Sequence, residues 1–438
     1  MIRYLNIFLF EFKHFRKSKT KVISYLVFIL ACVFSLFNGF ELQKKQLNTI
    51  DNIQINEDES ISEIITWYEN GEKGPKNRSW IDVTNPYWSI RYTSTYMIKE
   101  PSKLLPLGIG QSEQYGYYQK LSIWSSPFDS DIAEEITNYE RLINGNIDFS
   151  FLILFLLPLL LIILTFNING LEKDLKFNKL ISIQVGGSKK WIFYRLLFYT
   201  FLVTTTINCM IFSVAFINNV FNQELLHLIL LSNLYILIFI VPFYFIIKSS
   251  DGSTSIAFKM ISLWLLLCVL IPGTAHQYAN LKYPVNYMTD FLDANRKETY
   301  DVFKYSKEEL NIRLLEIYPN LNSTLHARDT SVNRTVVRNT MSAIVNKLNT
   351  NAIAKIEQQN NLKNNLIVST YWYNPVSYFQ NKWNAITCSD YHAYSKFRND
   401  IQRKIDDRLE LLVFECWDNK TVDLKKYNSY LKTLRQSN

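Results

Sequence analysis

The stretch Phe151–Val203 reads FLILFLLPLLLIILTFNINGLEKDLKFNKLISIQVGGSKKWIFYRLLFYTFLV. It opens on an uncharged apolar run and passes through a lysine-rich amphipathic segment. That segment has an acid near its start and Gly186-Gly187 near its end. An apolar run then resumes. Each run suits a helix crossing a hydrocarbon layer about 30 Å thick, so the stretch reads as two membrane spans joined by a polar hairpin. A link that only reverses direction needs few residues, as KSSDGSTS at Lys248–Ser255 shows. The greater length of residues 169–191 leaves room for an amphipathic helix at the interface. Such a helix serves equally as a plain interfacial element or as a surface on which a cytosolic partner pushes.

Working outward, the apolar residues of this 438-residue chain are concentrated in a few runs. The overall mean hydropathy of −0.04 conceals that segregation. The arm 1–21 places Leu5, Phe8, Leu9, Phe12 and Phe15 at helical spacing beside Lys13, Arg16, Lys17, Lys19 and Lys21, the pattern of an interfacial helix. Spans are expected at 22–40, 149–168, 192–218, 225–247 and 256–275. Pro158, Pro242 and Pro272 are the unusual residues inside or at the ends of these spans. The 41–147 region, rich in aromatics and turn signals, reads as a first water-facing domain. Residues 277–438 read as a second, helical one. There Ser306 and Glu309 form a capping box. Val337, Met341, Ile344, Leu348, Ile356 and Leu366 form one apolar stripe, and Tyr394, Phe397, Ile401, Ile405, Leu409 and Leu412 another. Both are expected to be core faces. The fold class is therefore mainly α, a polytopic helical membrane protein.

Short-loop charge orients it. The arm and residues 169–191 carry many lysines, whereas NNVFNQE at Asn218–Glu224 carries no base. The N-terminus and the hairpin are thus expected in the cytoplasm, and both large regions outside it. The net charge of +8 belongs to this topology rather than to nucleic-acid binding.

The motifs of catalysis are missing. No GxxxxGK[ST], HExxH or GxSxG occurs, and GIGQSE at Gly108 lacks the third glycine of a dinucleotide fingerprint. His14, His227, His276, His326 and His392 are scattered without ligand spacing. No catalytic residue, metal or cofactor is expected. The spans hold few ionisable groups, unlike carriers driven by ion gradients. Cys32, Cys209 and Cys268 lie in apolar runs, while Cys388 and Cys416 can pair if their region is oxidised.

The segment LPLLLIILTFNINGLEKDLKFNKLISIQVGGSKKWIFYRLLFY resembles the second span, coupling helix and third-span start of type-2 ATP-binding cassette exporter permeases. Glu172, Gly186-Gly187-Ser188-Lys189-Lys190 and Arg195 occupy the family's acid, Gly-rich basic and third-span basic positions. The arm resembles the family's elbow helix. NPYWSIRYTSTYMIKEPSKLLPLGIG, INGNIDFSFLILFLLPLL, SLWLLLCVLIPGTAHQYANLKYPV and YWYNPVSYFQNKWNAITCSDYHAYSKFRNDI are similar to a bacterial branch with a large extracytoplasmic insertion between spans one and two. The resemblance implies a non-enzymatic export subunit of the bacterial cytoplasmic membrane. It would be paired with an identical or related permease subunit around a central path and driven by a separate cytosolic ATPase. Glu172, Lys173, Lys176, Lys179, Gly186, Gly187, Lys189 and Lys190 would be the ATPase-docking residues. The family closes with a sixth span. None follows His276, and the chain closes on YLKTLRQSN. A membrane-anchored receptor or scaffold whose outer domains bind a ligand without transport is the competing expectation.

Overall fold

The computed structural model describes residues 2–137, 147–185, 187–249, 252–285, 291–329 and 331–435. The protein is mainly helical, at 77%. Five helical runs are long and apolar enough to cross a membrane: Lys19–Glu69, Phe149–Asp174, Ser188–Ile217, Gln223–Ser249 and Ser253–Lys282.

Helix α1 (Ile2–Lys17) turns at Ser18 into α2 (Lys19–Glu69). Span one therefore does not end as a helix at Phe40. At about 1.5 Å per residue, α2 runs about 76 Å. No Gly or Pro lies between Glu41 and Asn70, so polarity changes at Glu41 while nothing breaks the backbone. The polar half is a stalk with an apolar stripe: Ile50, Ile53, Ile61, Ile64 and Trp67 are buried. Next come α3 (Pro86–Tyr92), capped by Asn85, and an antiparallel pair, β1 (Thr95–Ile98) with β2 (Tyr118–Leu121). Helix α4 (Asp129–Thr137) follows.

Span two starts as α5 (Phe149–Phe151), passes through a π turn at Leu152–Leu156 and continues as α6 (Leu157–Thr165). Two short helices, α7 (Gly170–Asp174) and α8 (Asn178–Val185), form the hairpin. Spans three and four are α9 (Ser188–Ile217) and α10 (Gln223–Ser249). Span five is α11 (Ser253–Leu265), a π turn at Leu266–Leu270, and α12 (Ile271–Lys282).

The prolines explain the π turns. Pro158 and Pro272 each sit just past one, and Pro158 has no N–H to offer the Leu154 carbonyl four residues back. That carbonyl instead accepts the Tyr235 hydroxyl at 2.5 Å and the Cys268 thiol at 3.7 Å. Trp264 Nε1 donates to the neighbouring Phe155 carbonyl at 3.0 Å. Freed backbone in span two is thereby satisfied by side chains from spans four and five, which is how membrane helices tolerate proline. Pro242 stays within α10.

The remaining helices are α13 (Leu292–Lys304), α14 (Lys307–Ile317), α15 (Leu325–Arg328), α16 (Arg334–Ser369), α17 (Pro375–Ile386), α18 (Tyr391–Asp418) and α19 (Leu424–Arg435). Ser306 caps α14 by accepting the Glu309 N–H at 3.2 Å. The stripe on α18 is buried throughout. On α16, Val337, Met341, Ile344 and Ile356 are buried, while Leu348 and Leu366 are half-buried. The two water-facing regions are not separate bodies. Ile64, Trp67, Ile90 and Ile123 share one core with Val337, Ile344, Ile401, Leu409 and Tyr427. Four apolar helical runs, Phe149–Asp174 to Ser253–Lys282, lie between these two regions in the chain, and the core closes across them.

Two further features follow from the packing of the C-terminal helices. Cys388 and Cys416 are both free. The helix between Tyr391 and Cys416 keeps them apart, at about 37 Å by a rise of about 1.5 Å per residue. A disulfide needs Cα atoms within about 7 Å. Helix α17 returns from the shared domain into the span bundle. Its Val376, Phe379 and Trp383 join the core of the spans. The Phe379 ring lies 5.1 Å from that of Tyr235, and Trp383 Nε1 donates to the Leu107 carbonyl at 2.8 Å.

Candidate functional site

The hairpin 169–187 is two short helices rather than one. The chain leaves α6 and enters a left-handed turn at Asn169, with φ of 60°. Asn169 Nδ2 donates to the Ile247 carbonyl at the end of span four, at 3.4 Å. Gly170 then passes so close to the start of span five that a Cβ would lie 2.7 Å from Ser253 Cα. Asp174 Oδ2 accepts the Ser253 N–H at 3.2 Å, placing a carboxylate at the positive end of that helix. Lys176, with φ of 61°, breaks α7 from α8.

Behind this loop is a buried charge cluster. Arg195 of α9 is 1% exposed. Its Nε donates to Glu11 Oε2 of α1 at 2.5 Å, its second nitrogen to Glu11 Oε1 at 3.4 Å, and its third nitrogen to Glu172 Oε1. Tyr199 donates to Glu11 Oε1 at 2.6 Å, and Lys21 Nζ donates to the Tyr199 hydroxyl at 2.8 Å. Trp191 Nε1 adds a 3.4 Å bond to Glu172, and its ring lies 5.1 Å from the Arg195 guanidinium. Burial would raise the Glu11 carboxyl, but His14 and Arg195 outweigh it and hold the group down at about 2. The planar fork of arginine suits this bridging role, which a lysine point charge could not fill. The cluster locks the arm, the first span, the hairpin and the third span into one unit.

The cluster also sorts the residues expected to dock a partner. Glu172 is buried and bonded to Arg195, on the side of the hairpin turned toward the spans. Lys173 is half-buried, whereas Lys176, Lys179, Lys189 and Lys190 are exposed. Gly187 takes φ of 129°, and a side chain there would meet open space. Gly186 lies outside the described residues. Interleaved with the lysines is a set of bare apolar side chains, Leu175, Phe177, Leu180 and Ile183, the last 83% exposed. Sequence reading missed Glu11, Trp191 and Tyr199. Lys21, grouped there with the arm's bases, is buried. The available signal was Glu11 itself, a lone acid in an otherwise apolar and basic arm.

No protein-family description matches the chain, and no curated protein or solved structure does either.

Proposed function

We propose that this helical membrane protein is the permease subunit of an ATP-binding cassette exporter in a bacterial cytoplasmic membrane. Its N-terminus would be cytoplasmic, and it would pair with a second permease subunit of the same or a related kind. A separate cytosolic ATPase docks on α7, α8 and the turn into α9. Nucleotide binding closes the ATPase, the hairpin is displaced, and the spans change the side to which the path opens. The observation that carries this reading is the hairpin's dual character. Its outer face offers exposed lysines and apolar side chains, and its inner face is bonded to spans three, four and five and is linked to the arm through Arg195. A load applied to such a surface reaches every helix end at that side of the bundle.

The test is capture of partners by detergent-solubilised protein. Leu175, Phe177, Leu180 and Ile183 are each replaced by Ser, leaving Glu172 and its pairing intact. Recovery of an ATP-binding subunit with the wild type, and its loss with the variant, supports the permease. An unchanged set of partners, or none with ATP-binding motifs, would leave an anchored scaffold as the better description.

A further inference from the structure

At the end of the bundle that carries the shared domain, α10 and α17 leave an open cleft of about 500 Å³ between them. Its lining is graded along the bundle axis. Glu224 and His227, on the first two turns of α10, stand at the mouth with Ile386 of α17. Lys382, one turn deeper on α17, and Leu230 and Leu234 continue the wall toward the level where Phe379 meets Tyr235. The residues of α10 recur at three or four positions and so share one helix face. Among the described residues neither His227 nor Lys382 has a hydrogen-bond or ion-pair partner, and Glu224 meets only the Asn222 amide, at 3.1 Å.

We propose that this cleft binds one phospholipid of the surrounding leaflet, with a phosphoethanolamine head. The acyl chain lies along Leu230 and Leu234. The phosphate meets Lys382 and His227, and the primary ammonium donates to the Glu224 carboxylate. The charge set selects the head. A phosphocholine carries no N–H for Glu224, and a phosphoglycerol carries no cation at all. Charge-assisted bonds in a partly dry site are the stronger kind, so headgroup choice resides there and the apolar wall supplies depth.

The whole chain is reconstituted in nanodiscs with equal phosphatidylethanolamine, phosphatidylcholine and phosphatidylglycerol, and retained lipids are identified by native mass spectrometry after mild release. The expected result is retention of phosphatidylethanolamine over the other two by about fivefold or more, the scale of about one such bond. Lys382→Gln and Glu224→Gln each bring that ratio toward one. Leu234→Trp, at an exposed position, lowers retained lipid by filling the cleft. No preference in the wild type, or one that survives both charge variants, overturns the inference. A dimer abolished by Leu234→Trp overturns it too, assigning the cleft to a second copy. No ATPase enters this measurement, so its outcome and that of the partner capture are independent.

Discussion

Arg195 Nε and Glu11 Oε2 lie 2.5 Å apart in a site closed to solvent, joining the third span to the N-terminal arm. The same guanidinium holds Glu172. One arginine therefore neutralises two buried carboxylates that belong to separate helices.

Arg195→Gln should destabilise the protein by about 3–5 kcal/mol, the cost of stranding a buried partner charge. Arg195→Lys should fall between, because lysine keeps the charge but cannot bridge both carboxylates. Adding Glu11→Gln and Glu172→Gln to Arg195→Gln should recover part of the loss. Thermal unfolding in detergent checks the order, and a Lys variant as stable as wild type would contradict the bridging role.

The domain outside the spans contains a second buried arginine node with the opposite pH behaviour. Asp131 lies 3.2 Å from Arg398 Nη1 and accepts the Gly116 N–H at 3.0 Å. Burial is the largest influence and, despite Arg398, pushes its carboxyl up from 3.8 to about 6. Between those values the folded state holds a proton that the unfolded chain releases. The group therefore adds stability as pH falls through about 6, and its contribution is complete below about 4. Unfolding followed by tryptophan fluorescence should show wild type gaining on Asp131→Asn as pH drops from 7 to 4. A gain in the reverse direction would refute the assignment.

Two glycines in helices should respond oppositely to alanine. At Gly39 of α2 a Cβ would lie 2.5 Å from Pro106 Cα, whereas at Gly273 of α12 it meets nothing within 4 Å. Gly39→Ala should cost about 1–3 kcal/mol through overpacking against backbone. Gly273→Ala should be neutral or stabilise by up to about 1 kcal/mol. Melting temperatures of the two variants decide it.

Tyr235 and Pro158 should be coupled. Tyr235→Phe leaves the carbonyl freed by Pro158 without its hydroxyl donor, at a cost of about 0.6–1.7 kcal/mol. In a Pro158→Ala background the helix can supply its own N–H, and the same change should cost less. Additive effects in the double-mutant cycle would show that the hydroxyl does not serve that carbonyl.

What could be read in advance follows the range of each interaction. Spans two to five announce themselves by apolar length, and the α18 stripe by helical spacing, because both signals are local. The continuation of α2 to Glu69 was hidden by equating a change of polarity with a helix end, although the absence of Gly and Pro after Glu41 argued otherwise. Helix α17 escaped because PVSYFQNKWNAI is too short and too mixed to read as a membrane element. Only its packing against Tyr235 and Leu107 seats it in the bundle. Glu172 and Arg195 were noticed as positions in a pattern. The contact of Arg195 with Glu11 spans most of two hundred residues, a range over which single-sequence periodicity carries no information.

The central claim is that the hairpin after span two touches a cytosolic ATPase, and a photo-crosslinking residue at Ile183 tests it most directly. Its side chain is almost fully exposed and bears no part of the charge cluster. Irradiation of native membranes should yield a covalent adduct with an ATP-binding protein. The same probe at Lys76, whose side chain is 90% exposed in the domain expected outside, should yield none. Adducts from Ile183 with lipid alone, or with the ATPase equally from both positions, would contradict the account.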